Sequence, residues 1–266
     1  MAKLFNNIRK KLVSEKPSAS RTSNYLKYAI GEIVLVVIGI LIALSINNWN
    51  ENRKTQNQLT IILYNLIDDL NDDLGYLNRE AELHEFRING FQYLLEKSEN
   101  RKFEFNRLQK LSNTFWEGAY PDTINLKFAE LCIKASVWDY NVNIQTSSID
   151  EMKNLGIFSS IKNNALKKSI NKYYGFLPQI RQDWNRDLIT DWRKFLVDNY
   201  DIIPSEEVLH LVNPIEFLKH NKSVSTRIRS LEGPAQYRFE NVNIAINFAE
   251  EVIQLIQDEI GESDAE

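Results

Sequence analysis

The stretch YAIGEIVLVVIGILIALSI, residues 28–46, decides the fold of this 266-residue chain. The fourteen residues after Glu32 carry no charge, and Ser45 is the only polar residue among them. Extended back to Leu26, the stretch has 21 residues and would measure about 31 Å as an α-helix. This length matches the hydrocarbon core of a bilayer, so we predict a transmembrane helix over residues 26–46.

Two other interpretations of this stretch fit less well. A cleaved signal peptide has an apolar part of about 7–15 residues that ends in small residues. The sequence Ala43-Leu44-Ser45 is a poor cleavage site, and the 25 residues before the stretch are longer than a usual basic leader. A buried core helix would be less uniformly apolar, so a retained membrane span is favoured.

The flanking charges predict the orientation of the span. Only Arg53 and Lys54 follow it closely, whereas the basic residues on the other flank are Lys3, Arg9, Lys10, Lys11, Lys16, Arg21 and Lys27. Because cytoplasmic flanks carry the excess of Lys and Arg, we expect residues 1–25 to be a cytoplasmic basic segment. We expect Trp49 to anchor the opposite interface. Residues 4–13 fit either a short interfacial helix or a plain basic leader.

Four residues of the predicted span are candidates for contact with another membrane helix. Glu32 lies about 9 Å into the span, where it either reaches the interface or pairs with a basic or polar group of a second helix. Gly39 and Ala43 form a small-xxx-small pair, and Gly31 lies eight residues before Gly39. Such a stripe permits close helix packing, so a homodimer or a partner membrane protein is the expected contact.

The charge of the chain is divided unevenly along the sequence. Residues 1–49 hold seven basic and two acidic residues, which leaves 25 basic and 34 acidic residues beyond them. The first part therefore has a net charge of +5 and the second a net charge of −9. An acidic domain is repelled by phosphate backbones, so we exclude nucleic acid as a partner and expect the lipid bilayer to be one.

Beyond the span, the sequence predicts a bundle of helices. Apolar residues recur at steps of three and four through residues 51–96, which is typical of a long amphipathic helix continuous with the span. Strand character at residues 142–144 is left open. The further expected elements are helices over residues 105–116 and 123–140, a short helix capped by Ser147 or Ser148 and ended by Gly156, a long helix over residues 164–199 kinked at Pro178, a final helix opened by Pro234, and an acidic tail over residues 261–266.

Several polar and aromatic residues of this region receive structural interpretations. The acidic stripe of Asp68, Asp69, Asp72 and Asp73 is expected to be a solvated helix face, because calcium loops need a glycine turn. Trp184 and Trp192 are expected in the core. Cys132, the only cysteine, is expected to be a buried inert thiol, with a disulfide between two chains as the alternative.

The usual catalytic and cofactor motifs are absent from the sequence. It contains no G-x-S-x-G, G-x-G-x-x-G, P-loop, H-E-x-x-H or C-x-x-C motif. The three histidines, His84, His210 and His220, form no helical i, i+4 pair. We therefore predict no catalytic residue, no cofactor and no metal site.

Two stretches carry a resemblance to a known family. They are YAIGEIVLVVIGILIALSINNWNENRK, residues 28–54, and SSIDEMKNLGIFSSIKNNALKKSINKYY, residues 147–174. These resemble a family of uncharacterised single-pass membrane proteins of Gram-negative bacteria, which is classed only as a domain of unknown function. The resemblance implies an inner-membrane protein whose residues 47–260 form a helical periplasmic domain, and it supplies no catalytic residue.

The sequence therefore favours a mainly α fold in which one N-terminal transmembrane helix continues into a periplasmic helical bundle. The expected function is a non-enzymatic accessory, sensing or protein-interaction role. The alternatives are an envelope enzyme without a recognisable motif and a structural subunit of a membrane complex.

Overall fold

The computed structural model describes residues 21–99, 114–138, 143–181, 184–203 and 213–263, without the side chains of residues 21–27, 181, 184–186 and 262–263. The helices are α1 (Arg21–Glu99), α2 (Leu126–Ala135), α3 (Ser147–Asn154), a 3-10 helix (Ile157–Ser160), α4 (Asn164–Arg181), α5 (Trp184–Tyr200), α6 (Pro214–His220) and α7 (Lys222–Ser263). These ranges contain no β-strand. The predicted mainly α fold is confirmed.

Helix α1 contains both the apolar stretch and the amphipathic stretch without a break, as predicted. The chain divides into two compact units, Met1–Gln58 and Leu59–Glu266. The part of α1 from Leu59 onward belongs to the second unit, and its apolar residues at steps of three and four are buried there. The periodicity of the sequence therefore identified the buried face of this helix.

The second unit has two hydrophobic cores. The first core packs residues 59–81 of α1 against α3, the 3-10 helix, α4 and residues 242–260 of α7. The second core packs residues 83–95 of α1 against α2, α5, α6 and residues 224–235 of α7. Helices α1 and α7 therefore pass through both cores in opposite chain directions, and Phe239 of α7 packs against each core.

In the second core, α1 is buried on nearly every side. Every residue from position 83 to position 95 is buried, including the polar side chains of Glu85, Arg87, Asn89 and Gln92. The amphipathic interpretation of residues 51–96 therefore fails for this last part. The reason is that α2, α5, α6 and α7 together surround residues 83–95, whereas an amphipathic helix has one face in solvent.

Two predictions for the segment before α3 differ from the structure. The predicted helix over residues 105–116 lies mostly outside the described residues, and its last three residues, 114–116, are not helical. Helix α2 begins at Leu126, later than the predicted residue 123, because Asn125 caps it: Oδ1 of Asn125 accepts from the N–H of Phe128 at 3.1 Å. The helix ends at Ala135, before the predicted residue 140. Residues 143 and 144 form no strand.

The N-terminus of α3 is capped in a way that the local sequence did not indicate. Ser147 and Ser148 both lie inside the helix, and Thr146, at the cap position, makes no side-chain cap bond. The N–H of Ser148 instead donates to Oδ2 of Asp69 on α1 at 3.0 Å. The predicted serine cap is therefore wrong, because a carboxylate from a distant helix satisfies the free amide. The predicted stop at Gly156 is confirmed by its positive φ of 70°.

Proline positions account for two further differences. The predicted helix over residues 164–199 is described as α4 and α5, and Pro178 lies inside α4. Pro234 lies inside α7, which begins twelve residues earlier at Lys222, so its predicted role as a helix opener is wrong. Leu231 and Ala235 are buried in the second core on either side of it. This packing outweighs the cost of about 3 kcal/mol for proline within a helix.

The expected core residues can be placed where the structure describes them. Trp192 is buried in the second core, and its Nε1 donates to Oγ of Ser136 at 2.7 Å. The side chain of Trp184 lies outside the described residues. Cys132 is a buried thiol, as predicted, and burial raises its pKa well above the usual value. A disulfide between two chains would require this side chain to leave the core.

Candidate functional site

The apolar stretch of α1 has a surface unlike that of a folded soluble domain. Of the described residues, α1 is the helix that is long and apolar enough to cross a membrane, and none of the apolar window is buried within the structure. Its side chains are exposed in every direction around the helix: Ile30, Ile33, Val34, Val36, Val37, Ile38, Ile40, Leu41, Ile42, Leu44 and Ile46. A helix that is apolar on all sides and uncovered is a candidate membrane span.

The predicted contact residues lie on this uncovered helix. Glu32, Gly39 and Ala43 are exposed and Gly31 is half-buried. A Cβ added at Gly31 or at Gly39 would meet no atom within 4 Å. The structure therefore leaves the four residues accessible to a second helix, and whether they bind one stays a prediction.

Trp49 lies at the end of the apolar stretch, where polar sequence begins. Its ring is 63% exposed, and the guanidinium carbon of Arg53 lies 5.4 Å from the ring centroid. A cation over an indole suits a boundary between lipid and water, because the ring faces apolar tails while the charge stays hydrated. The predicted role of Trp49 as an interface anchor is compatible with this placement and stays a prediction.

The acidic stripe of α1 is only partly solvated. Asp68 and Asp72 are exposed as predicted, but Asp73 is fully buried. Its Oδ2 accepts from the hydroxyl of Tyr173 on α4 at 2.7 Å, and its Oδ1 accepts from the backbone N–H of Gln145 at 2.8 Å. Asp73 thus ties α1 to α4 and to the segment before α3, and the prediction of a solvated stripe is wrong at this position.

A second buried polar group lies where the two cores meet. We call Glu80 and His84 of α1 and Arg238 of α7 the junction cluster. Ala81 belongs to the first core, and Leu83 to the second. Oε1 of Glu80 contacts both Nε2 of His84, at 3.2 Å, and Nε of Arg238, which donates to it at 3.3 Å. One carboxylate oxygen therefore joins the two long helices.

The junction cluster is enclosed, and two of its atoms have no hydrogen-bond partner. Glu80 is 3% exposed, His84 0% and Arg238 9%. Oε2 of Glu80 and Nδ1 of His84 are buried without a partner among the described residues. Arg87 adds a further buried cation, and its Nε donates to the carbonyl oxygen of Ala135 on α2 at 2.9 Å. Unpaired buried polar atoms are costly, so this group differs from an ordinary satisfied ion pair.

The enclosure determines the charges of the junction cluster. The pKa of His84 is lowered to about 4: burial is the largest cause, the cations of Arg87 and Arg238 act in the same direction, and the hydrogen bond and charge of Glu80 oppose them. Burial raises the pKa of Glu80, but the hydrogen bond from His84 and the nearby charges of His84, Arg238 and Arg87 outweigh it and hold the pKa below its usual value. At neutral pH the cluster therefore contains an ionised carboxylate, a neutral imidazole and a guanidinium.

The described residues do not gather the ligands of a metal site. No group of three or more His, Cys, Asp and Glu side chains among them is arranged to hold a metal ion. Glu80 and His84 have the residue types of an acid/base pair, but Oε1 of Glu80 also binds Arg238 and both side chains are enclosed. As it stands, the pair can join helices, and it offers no substrate a direct approach.

The sequence contained one signal for the junction cluster. Glu80 and His84 are four residues apart, the spacing that places two side chains on one helix face. Arg238 lies 158 residues away from Glu80, and nothing in either local sequence connects them. Each of the three histidines follows a glutamate by four residues, so this spacing does not single out Glu80 and His84.

The fold and these surfaces define a class: an all-helical protein with one candidate membrane span within its described residues. Residues 32–117, about a third of the chain, match a family of unknown function (DUF6090). The match covers most of the first stretch on which the resemblance rested and none of residues 147–174. No curated protein and no solved structure matches the chain. The matched segment is therefore similar to an uncharacterised domain.

Proposed function

We propose that this chain is a single-pass inner-membrane protein of a Gram-negative bacterium, with a cytoplasmic N-terminus and a helical periplasmic domain. The domain has a non-enzymatic role in binding or sensing and acts through a membrane partner. The observation that carries the proposal is the exposed apolar surface around residues 28–46 of α1. The basic flank before this stretch supports the orientation, because cytoplasmic flanks carry the excess of Lys and Arg.

Membrane insertion is tested by extraction of membranes at alkaline pH, which releases proteins that do not cross the bilayer. The full chain is expected to stay in the membrane pellet. A variant with Val37→Lys and Leu41→Lys is expected in the supernatant, because each lysine at the centre of a span costs about 2.5–3.5 kcal/mol. The matched control is Ile61→Lys with Tyr64→Lys, two exposed positions of the same helix beyond the stretch. Release of the unsubstituted chain would contradict the proposal.

The proposed partner contact uses Glu32. Its carboxylate is exposed next to the exposed apolar residues Ile30, Ile33 and Val34. A carboxylate in apolar surroundings is costly, so pairing with a basic or polar group of a second helix would stabilise it. A photo-crosslinking amino acid at Val36, one turn from Glu32, is expected to capture a membrane protein. Substitution Glu32→Gln should reduce the capture, whereas Glu51→Gln, beyond the apolar stretch, should not. Equal capture by all three proteins would contradict the Glu32 contact.

A further inference from the structure

The junction cluster has a geometry that suits one protonation state of His84. The imidazole Nε2 contacts Oε1 of Glu80, while Nδ1 is buried without a partner among the described residues. A neutral ring with the proton on Nε2 leaves only a lone pair at Nδ1. A protonated ring would place an N–H there, and a buried donor without an acceptor is costly.

The surrounding charges also oppose protonation of His84. The charged groups that act on His84 are Glu80 and Arg87 from α1 and Arg238 from α7. With neutral His84 these three groups sum to one positive charge, and a protonated His84 would raise the sum to two inside a closed interface. A movement that brings Nδ1 into water and separates Arg238 from His84 relieves both costs.

The position of the cluster allows such a movement to stay local. On α7 the buried residues of the second core end at Ala235 and those of the first core begin at Val242, so Arg238 lies between them. The neighbouring Phe239 packs against both cores but is only partly buried. Each core has its own apolar contacts with α1, and Arg238 belongs to neither core. Local opening between two well-packed regions requires less free energy than unfolding of the whole unit.

We propose that the contact of Glu80 and His84 with Arg238 is an acid-released latch: protonation of His84 separates α7 from α1 around Arg238 and admits water as far as Ala235, at the end of the second core, while the rest of both hydrophobic cores stays packed. The latch gives the unit Leu59–Glu266 an acid-dependent change of conformation. The latch lies within this unit and does not depend on which side of a membrane the unit occupies. Its test is therefore independent of the test of the proposed function.

The expected size of the effect follows from proton linkage. The usual pKa of His84 is 6.5, and the enclosed ring has a pKa of about 4. If the open form restores the usual value, the equilibrium constant for opening rises about thirtyfold between pH 7.5 and pH 5. Glu80 contributes little over this interval, because its pKa lies below 4.5 and it stays ionised.

The test uses thiol protection in the full chain in detergent. Ala235→Cys, in a Cys132→Ala background, places a thiol one turn from Arg238 at a position that is 4% exposed. Ala249→Cys in the same background reports on the first core, and the native Cys132 reports on the second. The reagent is 4,4′-dithiodipyridine, which reacts at acid pH. Each rate is divided by the rate of the same protein unfolded in denaturant at the same pH.

The latch predicts that only the thiol at position 235 becomes about thirtyfold more reactive between pH 7.5 and pH 5. His84→Gln should abolish this response, and His220→Gln, which changes an exposed histidine on α6, should preserve it. An unchanged rate at position 235 would overturn the proposal. A parallel rise at all three thiols would also overturn it, because the whole unit would then unfold. A response that survives His84→Gln would remove His84 as the trigger, even if every other variant behaved as expected.

Discussion

The buried bond between Tyr173 and Asp73 gives the most discriminating prediction for stability. Tyr173 and Asp73 are both fully buried, and the phenol donates to the carboxylate at 2.7 Å. The adjacent Tyr174 also has a buried hydroxyl, but its Oη has no hydrogen-bond partner among the described residues. The two tyrosines follow each other on α4, so Tyr173→Phe and Tyr174→Phe form a matched pair that differs in this hydrogen bond.

The expected magnitude follows from the charge of the acceptor. A hydrogen bond to an ionised group contributes about 1.5–3 kcal/mol, so Tyr173→Phe should lower the free energy of unfolding by that amount. For a domain of this size the corresponding decrease in Tm is about 3–12 °C. Tyr174→Phe removes an unpaired hydroxyl that is surrounded by protein, so its change should stay within about 0.5 kcal/mol of zero.

The assay is urea denaturation of the full chain in a mild detergent, followed by far-ultraviolet circular dichroism at pH 7.5. Asp73→Asn alone and combined with Tyr173→Phe completes a double-mutant cycle, which isolates the coupling between the two side chains. If the two tyrosine variants differ by less than 0.5 kcal/mol, or the coupling is near zero, the buried bond does not stabilise the fold as argued.

Three further predictions concern the rest of the second unit. Gly90→Ala should destabilise by about 1–3 kcal/mol, because the added Cβ would lie 2.8 Å from Sγ of Cys132, and Cys132→Ala in the same chain should recover part of the loss in thermal melts. The free energy of unfolding should fall by about 3 kcal/mol as the pH decreases from 6.5 to about 4, because His84 has a lower pKa in the folded chain than in the unfolded chain. His84→Gln should make the free energy of unfolding, measured with urea, nearly independent of pH over this interval. An unaltered pH dependence in this variant would contradict the assignment to His84. Leu66→Ala, at a fully buried position, should cost about 2–5 kcal/mol in denaturant titrations, whereas Ile61→Ala, at a position that is 61% exposed, should change stability by less than about 0.5 kcal/mol.

The sequence predicted those features that local periodicity determines. The uniformly apolar stretch and the three-and-four spacing after it were sufficient to predict α1 and its buried leucines. Gly156 was recognised as a helix stop because its positive φ is a local property.

Features that depend on distant residues could not be predicted in this way. Asp73 resembles its exposed neighbours Asp68 and Asp72 in sequence, and its burial depends on Tyr173, 100 residues away. The cap of α3 comes from Asp69, and no pattern near Ser148 indicates it. Pro234 has the local appearance of a helix start, but packing on both sides keeps it within α7. Tertiary contacts decided each of these cases.

The same limit applies to the candidate sites. The residues of the apolar stretch could be predicted from sequence because length and uniform apolarity are properties of the stretch itself. The junction cluster was missed because it forms only when α1 and α7 pack together. The four-residue spacing of Glu80 and His84 recurs at the other two histidines, and nothing in the sequence indicates the contact with Arg238.

In the proposed topology, residues 26–46 cross a membrane once and the following domain lies outside the cytoplasm. The most direct measurement compares two reporters fused after Glu266 in Gram-negative cells. Alkaline phosphatase becomes active in the periplasm. Green fluorescent protein fluoresces in the cytoplasm but not after export through the general secretion pathway. With this topology the phosphatase fusion is active and the fluorescent fusion is dark. A fluorescent fusion with an inactive phosphatase would contradict it.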